Sequence, residues 1–249
     1  MLAGNINCLY QNLLSAIGNL EAEKQRVREI EQSKVDFMRA ASHELKTPLT
    51  ALNATLENMI LGIGKYQNVD VYLPECKDMA ERLSEMIQEI LETSKLGVPL
   101  IREAPVKADL SSLLAQLCEP YEQIAKARKI LFKQDLSGGF SAELPPQRFG
   151  KAVSNVLANA VAYTEAGKTI SVYFDGSSLV IENECTPIPS EALRHIFEPF
   201  YRPDYARNHD DGGNGLGLYI VDTLLKAMGL SYSFRPMGPP PGMRFVIHL

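Results

Sequence analysis

No stretch of the chain approaches the run of about 18 apolar residues that a bilayer-spanning helix requires, and its start lacks the basic, apolar and small-residue order of a secretory signal. Charge of one sign is lacking too. Against 25 Lys and Arg stand 30 Asp and Glu, a formal net charge of -5, which offers no basic surface to nucleic acid. Cys8, Cys76, Cys118 and Cys185 are far apart and without paired metal or redox spacing, so neither a disulfide nor a zinc site is expected and the thiols read as reduced core residues. What remains is an ordinary polypeptide of 249 residues, 45% hydrophobic, enough for one large domain or two small ones. As given it reads as cytoplasmic, or equally as the cytosolic portion of a longer, membrane-anchored protein.

Proline is scarce where helical periodicity is strongest. From Leu9 to Gly64 there is one, Pro48, and few β-branched clusters, which predicts a helix some 80 Å long at about 1.5 Å per residue. A small domain cannot bury such a helix, so it needs another one, and the expected partner is its own copy. Met38, Ser42, Leu45, Leu49, Leu52, Leu56, Met59 and Ile63 alternate in steps of four and three, the seam of a coiled coil or bundle. Carried backward, that seam lands on Glu31, Arg28, Lys24 and Glu21, whereas the apolar residues there are Leu13, Ile17, Leu20, Val27, Ile30 and Phe37. The phase breaks, and a break of this kind can hold two rotational settings of similar energy. After an interruption at Gly62, Gly64 and Tyr66 to Asp70, a second stripe follows in Met79, Leu83, Met86, Ile87, Ile90 and Leu91. Two such hairpins make a four-helix bundle.

His43 lies just off the seam, toward solvent, with Glu44 beside it and Thr47 one helical turn on. A near-neutral imidazole is a nucleophile at cell pH, and a neighbouring carboxylate can take or orient its ring proton. The hydroxyl of Thr47 can orient a water or simply back-bond to the carbonyl of His43. Pro48 costs a helix hydrogen bond and reads as a kink or a hinge.

Gly97, Pro99, Glu103 and Pro105 punctuate the chain, and beyond them the pattern changes. Helices are predicted at 110–127, 147–163 and 216–228, the last closed by Gly229, and strands at 129–136, 169–174, 179–183, 232–234 and 244–248. Helices on one face of a mixed sheet make an α+β sandwich. Met237 to Gly242 reads as a hairpin loop. Asn155 and Asn159 sit one turn apart opposite Val153, Val156, Leu157, Ala160 and Val161, so both amides face one cavity. Gly213-Asn214-Gly215-Leu216-Gly217 opens a helix, and glycines there let backbone N–H groups approach phosphate.

Together these motifs resemble the bacterial two-component sensor histidine kinases. Ala41 to Thr50 is similar to their phosphoacceptor box, Asn155 to Thr164 to the N box of the nucleotide domain shared with the Hsp90 and MutL ATPases, Ala192 to Arg202 to the F box, and Asp210 to Leu218 to the second glycine box. The resemblance implies ATP and Mg2+ as cofactors, with Asn159 as metal ligand, Asn155 helping to hold metal and phosphates, and Tyr163, Asn214 and Leu216 lining the site. It implies a γ-phosphate contact for Arg202 and a mobile lid over Pro203 to Asn214. The family's usual first glycine box is replaced by Asn183-Glu184-Cys185-Thr186-Pro187, in which Asn183 can still read the adenine amino group, accepting through its oxygen and donating to the ring nitrogen beside it. That asparagine form is similar to Gram-positive kinases of the vancomycin-resistance sensor type. Ala162 stands where most members have lysine or arginine, so one phosphate contact is missing or supplied elsewhere.

The expected organisation is a signalling helix over 1–33, a dimerisation and phosphotransfer hairpin over 34–98, a linker over 99–106 and a catalytic ATP-binding domain over 107–249. The implied activity is autophosphorylation of His43 and transfer to an aspartate of a response regulator, with dephosphorylation of that regulator through Thr47. The alternatives are a degenerate kinase acting mainly as phosphatase or scaffold, or a chaperone- or repair-type ATPase of the same fold. The last needs a carboxylate base where Asn155 stands.

Overall fold

The computed structural model describes residues 2–96, 103–137, 139–203 and 213–249; Gly97, Pro99 and the stretch 204–212 of the expected lid and second glycine box lie outside the described residues, as do the side chains of Cys8 and Ile30. The chain divides into two compact units, Met1–Gly97 and Val98–Leu249. No helix among the described residues is long and apolar enough to cross a membrane.

The first unit is a helical hairpin. Helix α1 runs from Leu2 to Ile60 through Pro48, a 3-10 turn spans Gly64–Gln67, and α2 runs from Val69 to Leu96. At 59 residues α1 extends about 88 Å. Gly62 and Gly64 take positive φ values of 63° and 53°, which reverses the chain between the helices. The Cys76 thiol lies 4.0 Å from the Met59 sulfur just beyond that turn.

The seam read from sequence divides over two faces. Phe37 and Ala41 are buried, and Leu45, Leu52, Leu56 and Met59 are half-buried, on the side where α1 packs on α2. Cys76, Ile90 and Thr93 are buried on α2, and Thr93 donates its hydroxyl to the Glu89 carbonyl at 2.7 Å. Met38, Leu49 and Ile63 stay exposed, along with Ile87 and Leu91 of α2. Phe37 and Ala41, one position before Met38 and Ser42, therefore carry the contact within the hairpin. The single chain does not cover the neighbouring stripe. Upstream, Leu13, Ile17, Leu20 and Val27 are exposed as well.

The second unit begins with β1 (Val106–Asp109), paired antiparallel with β3 (Ser141–Leu144) in a two-stranded ribbon. Between them lie α3 (Leu110–Ala127) and β2 (Leu131–Asp135), and after β3 come α4 (Pro146–Tyr163), β4 (Thr169–Asp175) and β5 (Ser178–Glu184). A short α5 (Ser190–Leu193), α6 (Gly217–Ala227), β6 (Tyr232–Met237) and β7 (Gly242–His248) complete it. The main sheet has the order β2-β4-β5-β7-β6, with β2 parallel to β4 and the other pairs antiparallel. Helices α3, α4 and α6 pack together, and α4 packs on β5. Phe149, Leu157, Ile170, Leu179, Leu224, Phe245 and Ile247 are among the side chains sealed between these layers. Cys118 is buried in the same core, and desolvation pushes its thiol up to about 11.

β1 starts inside the stretch expected as linker, and β3 falls where no strand is predicted. Four residues with mostly exposed side chains give no period to read. Glu103, also in that stretch, has a definite task. Its carboxylate accepts from the backbone N–H of Gln147 at 2.9 Å and of Arg148 at 3.1 Å, the first turn of α4, whose N-cap Pro145 offers no side-chain oxygen. Replacing a cap of this kind costs about 1–2 kcal/mol. Glu103→Ala is thus expected to lower the unfolding free energy of the second unit by that amount, with Glu103→Gln losing less, as followed by circular dichroism in urea.

Candidate active site

Three segments distant in sequence meet at the start of α6. Helix α4 buries Val153, Val156, Leu157, Ala160 and Val161 on its inner side and leaves Asn155 and Asn159 half-buried on another. Asn155 donates its amide Nδ2 to the Lys151 carbonyl at 2.8 Å, which frees Oδ1 as an acceptor. Gly217, first residue of α6, lies directly opposite. A Cβ built there would sit 3.4 Å from Asn155 Oδ1 and 3.7 Å from Asn159 Nδ2, so the two amides and the glycine line one narrow cradle. Leu216 is sunk into the core beneath it, and the helix that starts there has no side-chain cap. Its first N–H groups form the positive end of the helix dipole. Neutral amide oxygens beside a helix N-terminus suit a phosphate chain with a divalent cation.

The F-box segment is joined to this glycine loop through the backbone. Phe200 donates its N–H to the Gly215 carbonyl at 3.0 Å. Gly215 has φ of 75°, and a Cβ there would fall 2.8 Å from the Phe200 carbonyl carbon. Phe200 itself has φ of 63°, a conformation a bulky side chain adopts only when its surroundings impose it. Phe197 seats the segment with its ring edge-on to Tyr232, centroids 5.4 Å apart, and the Tyr232 hydroxyl bonds to Asp222 of α6. Burial, with that carboxylate, pushes the Tyr232 phenol well above its ordinary range. Arg202, two residues past Phe200, is half-buried with its Nε enclosed. Gly213 is exposed and Asn214 half-buried at the near edge of the glycine loop. Tyr163, at the end of α4, is 37% exposed.

Asn183 lies deeper, on β5, and is one of only three buried polar residues among those described, with Thr164 and Thr93. Its Nδ2 donates to Thr164 Oγ1 at 3.2 Å, and Thr164 Oγ1 donates to the Ala160 carbonyl at 2.6 Å. One of the two amide protons is therefore committed, and the ring-nitrogen donor expected of Asn183 is reduced to the other. Cys185 beside it is buried, which raises its thiol, while the Asn183 amide opposes that rise. The strand crosses β7 at Gly242, where a Cβ would come within 2.2 Å of the Asn183 carbonyl oxygen. Thr164 and Gly242 were not marked as site residues by sequence. Thr164 closes the N box, and its hydroxyl one residue past the helix end was the only available signal.

In the other unit His43 has a side chain 80% exposed, and its Nδ1 stands 3.8 Å from Glu44 Oε1. This leaves Nε2 open to solvent. The Thr47 hydroxyl points to the His43 carbonyl at 3.5 Å, a long back-bond at the limit of hydrogen bonding.

The description "His Kinase A (phospho-acceptor) domain" matches residues 33–98, and "Histidine kinase-, DNA gyrase B-, and HSP90-like ATPase" matches residues 145–249. The chain belongs to the sensor histidine kinases and carries these two modules of the kinase core. Within that class, relatives include the sensor protein VanSB of Enterococcus faecalis, 36% identical over 238 residues, covering 94% of this chain and 53% of that protein. The sensor histidine protein kinase HK06 of Streptococcus pneumoniae is 30% identical over 244 residues, covering 98% of this chain and 54% of that one. The chain thus spans about half the length of these relatives, and VanS-type sensors stand among them as the Asn183 form implies. The same fold occurs in the solved complex of histidine kinase ThkA with response regulator TrrA, at a TM-score of 0.66 and 20% identity over 92% of this chain and 65% of that one.

Gly215→Ala should drive a methyl group into the Phe200 backbone at a positive φ. A loss of about 2–4 kcal/mol in the stability of the second unit is expected. Calorimetric unfolding of the variant beside the parent protein checks it.

Proposed function

We propose that the chain is an ATP-dependent protein-histidine kinase that phosphorylates His43 and passes the phosphoryl group to an aspartate of a response-regulator receiver domain. The observation that carries this reading is the cradle of Asn155, Asn159 and Gly217 in the same chain as an open imidazole paired with Glu44. Either feature alone is compatible with other roles.

Asn159, with Asn155, would hold Mg2+ through amide oxygens, and the ion supplies charge neutralisation at the phosphates. The backbone N–H groups after Gly213 and Gly215 would take the phosphate oxygens, and Arg202 the γ-phosphate, in place of the cation missing at Ala162. Asn183 would accept the adenine amino group. Because Glu44 stands at Nδ1, the attacking atom is Nε2. Its lone pair forms the N–P bond as the bond from the γ-phosphorus to the β,γ-bridging oxygen breaks, ADP leaves, and Glu44 takes up or stabilises the proton on Nδ1. Positioning and neutralisation dominate such a transfer. The stripe of Met38, Leu49, Ile63, Ile87 and Leu91 is where a second copy packs, completing a four-helix bundle.

His43→Gln is expected to abolish acid-labile, base-stable labelling from γ-labelled ATP while nucleotide affinity stays within about threefold, since the acceptor lies outside the nucleotide-binding unit. Label retained on the variant would refute the assignment.

Thr47 divides the two reactions at the helix. If its hydroxyl leaves the long back-bond to orient a water, Thr47→Ala should slow regulator dephosphorylation at least about tenfold, some 1.4 kcal/mol of barrier. Labelling of His43 should survive. Both rates are read on one preparation with purified phospho-regulator, and a parallel fall in the two would assign Thr47 to support of the helix.

A further inference from the structure

We propose that Thr164 is a specificity-determining positioning residue that fixes which end of the Asn183 amide meets the nucleobase, and so makes a neutral asparagine select adenine over guanine. The inference rests on the reading of Asn183 as the base-contacting residue.

The hydrogen-bond chain runs in one direction. Thr164 Oγ1 donates its single proton to the Ala160 carbonyl at 2.6 Å. It thereby offers lone pairs to Asn183, whose Nδ2 donates to it at 3.2 Å. Turning the amide over would set Oδ1 against those lone pairs or give up the short bond to Ala160. Thr164 is 2% exposed and Asn183 9%, so no water stands ready to relieve the conflict, and an unsatisfied polar group at that depth is costly. Backbone holds the frame: the Thr164 N–H donates to the same Ala160 carbonyl at 3.1 Å, and the Asn183 carbonyl abuts Gly242 too closely for any other residue there.

An asparagine left free has both characters at its tip. It can present an oxygen to the C6 amino group of adenine or, turned over, an amide N–H to the C6 carbonyl of guanine. An aspartate in its place has only acceptors, and so rejects guanine without help. Thr164 therefore restores by hydrogen bonding the one-sidedness that the asparagine lacks. Thr164→Val keeps the shape of the side chain but removes the hydroxyl.

The test is titration calorimetry of ADP and of GDP with the full chain and its variants. The parent should prefer ADP, and Thr164→Val should narrow the ADP to GDP preference by about fivefold or more, whereas Thr164→Ser keeps it within about twofold. An unchanged ratio in a folded valine variant would overturn the proposal. Should the valine variant fail to fold, Asn183→Asp tests the same point: the Thr164 hydroxyl turns to donate to the carboxylate, whose other oxygen meets the base as the locked amide oxygen does, so the preference should stay within about threefold. A preference sharpened about tenfold or more by Asp would show the parent amide to be free, and would overturn the lock. Asn183→Ala separates the two readings. If it leaves the ratio untouched, Asn183 does not meet the base and the underlying assignment fails. If it alters the ratio while valine does not, only the role of Thr164 is lost.

Discussion

Close backbone approach is the constraint on which the second unit depends. At Gly215 the glycine loop lies against the Phe200 backbone, and at Gly242 strand β7 lies against the Asn183 carbonyl, in both places nearer than any Cβ allows. These two approaches hold the F-box segment to the loop before α6 and bring β7 in beside Asn183. Gly217 extends the same logic with more room, leaving a cradle between α6 and the amides of Asn155 and Asn159. A site assembled by missing side chains is open to a ligand rich in oxygen. It also ties the site's integrity to core packing, since Leu216 between two of these glycines is buried.

The site is built almost without charge. Asn155, Asn159 and Asn183 are neutral, and Ala162 adds nothing. Neutral amides avoid the cost of burying an unpaired carboxylate, but an amide has two unlike ends and must be oriented by its neighbours. The structure supplies that orientation in two places, through the Lys151 carbonyl for Asn155 and through Thr164 for Asn183. One anchor lies in α4 and the other one residue past its end, which makes this helix the reference frame of the site. Glu103 steadies it from the other end by capping the first turn.

Most of this was legible in the sequence, because the elements carrying it are long and periodic. Helix α3 spans Leu110–Ala127 as its apolar spacing predicts, and α4, β4, β5 and α6 agree to within a residue or two. The order of the N, F and glycine boxes points to the family without reference to the fold. What stayed hidden has no period. The ribbon of β1 and β3 is four residues a side, and the cap from Glu103 to Gln147 joins residues 44 positions apart. Thr164 was visible, but the direction of its hydrogen bond is a property of three dimensions. The seam of α1 looks like one stripe in the sequence because the face packed on α2 and the exposed apolar stripe adjoin. A single period cannot assign each face to its partner.

Packing on α2 also explains how α1 tolerates proline. Pro48 has no N–H for the Glu44 carbonyl, and an interior helix proline costs about 3 kcal/mol or more. The helix nevertheless continues unbroken to Ile60, with Pro48 half-buried. Packing of Leu45, Leu52, Leu56 and Met59 on α2 supplies the compensation, since helices in proteins are held more by their buried face than by propensity. The same interruption falls in α2 at Pro74 and in α3 at Pro120, each also inside a helix that packs along one side. At Pro48 the consequence is chemical as well as mechanical. The carbonyl released from the ladder belongs to Glu44, next to His43, so one rung of an otherwise continuous helix is absent there.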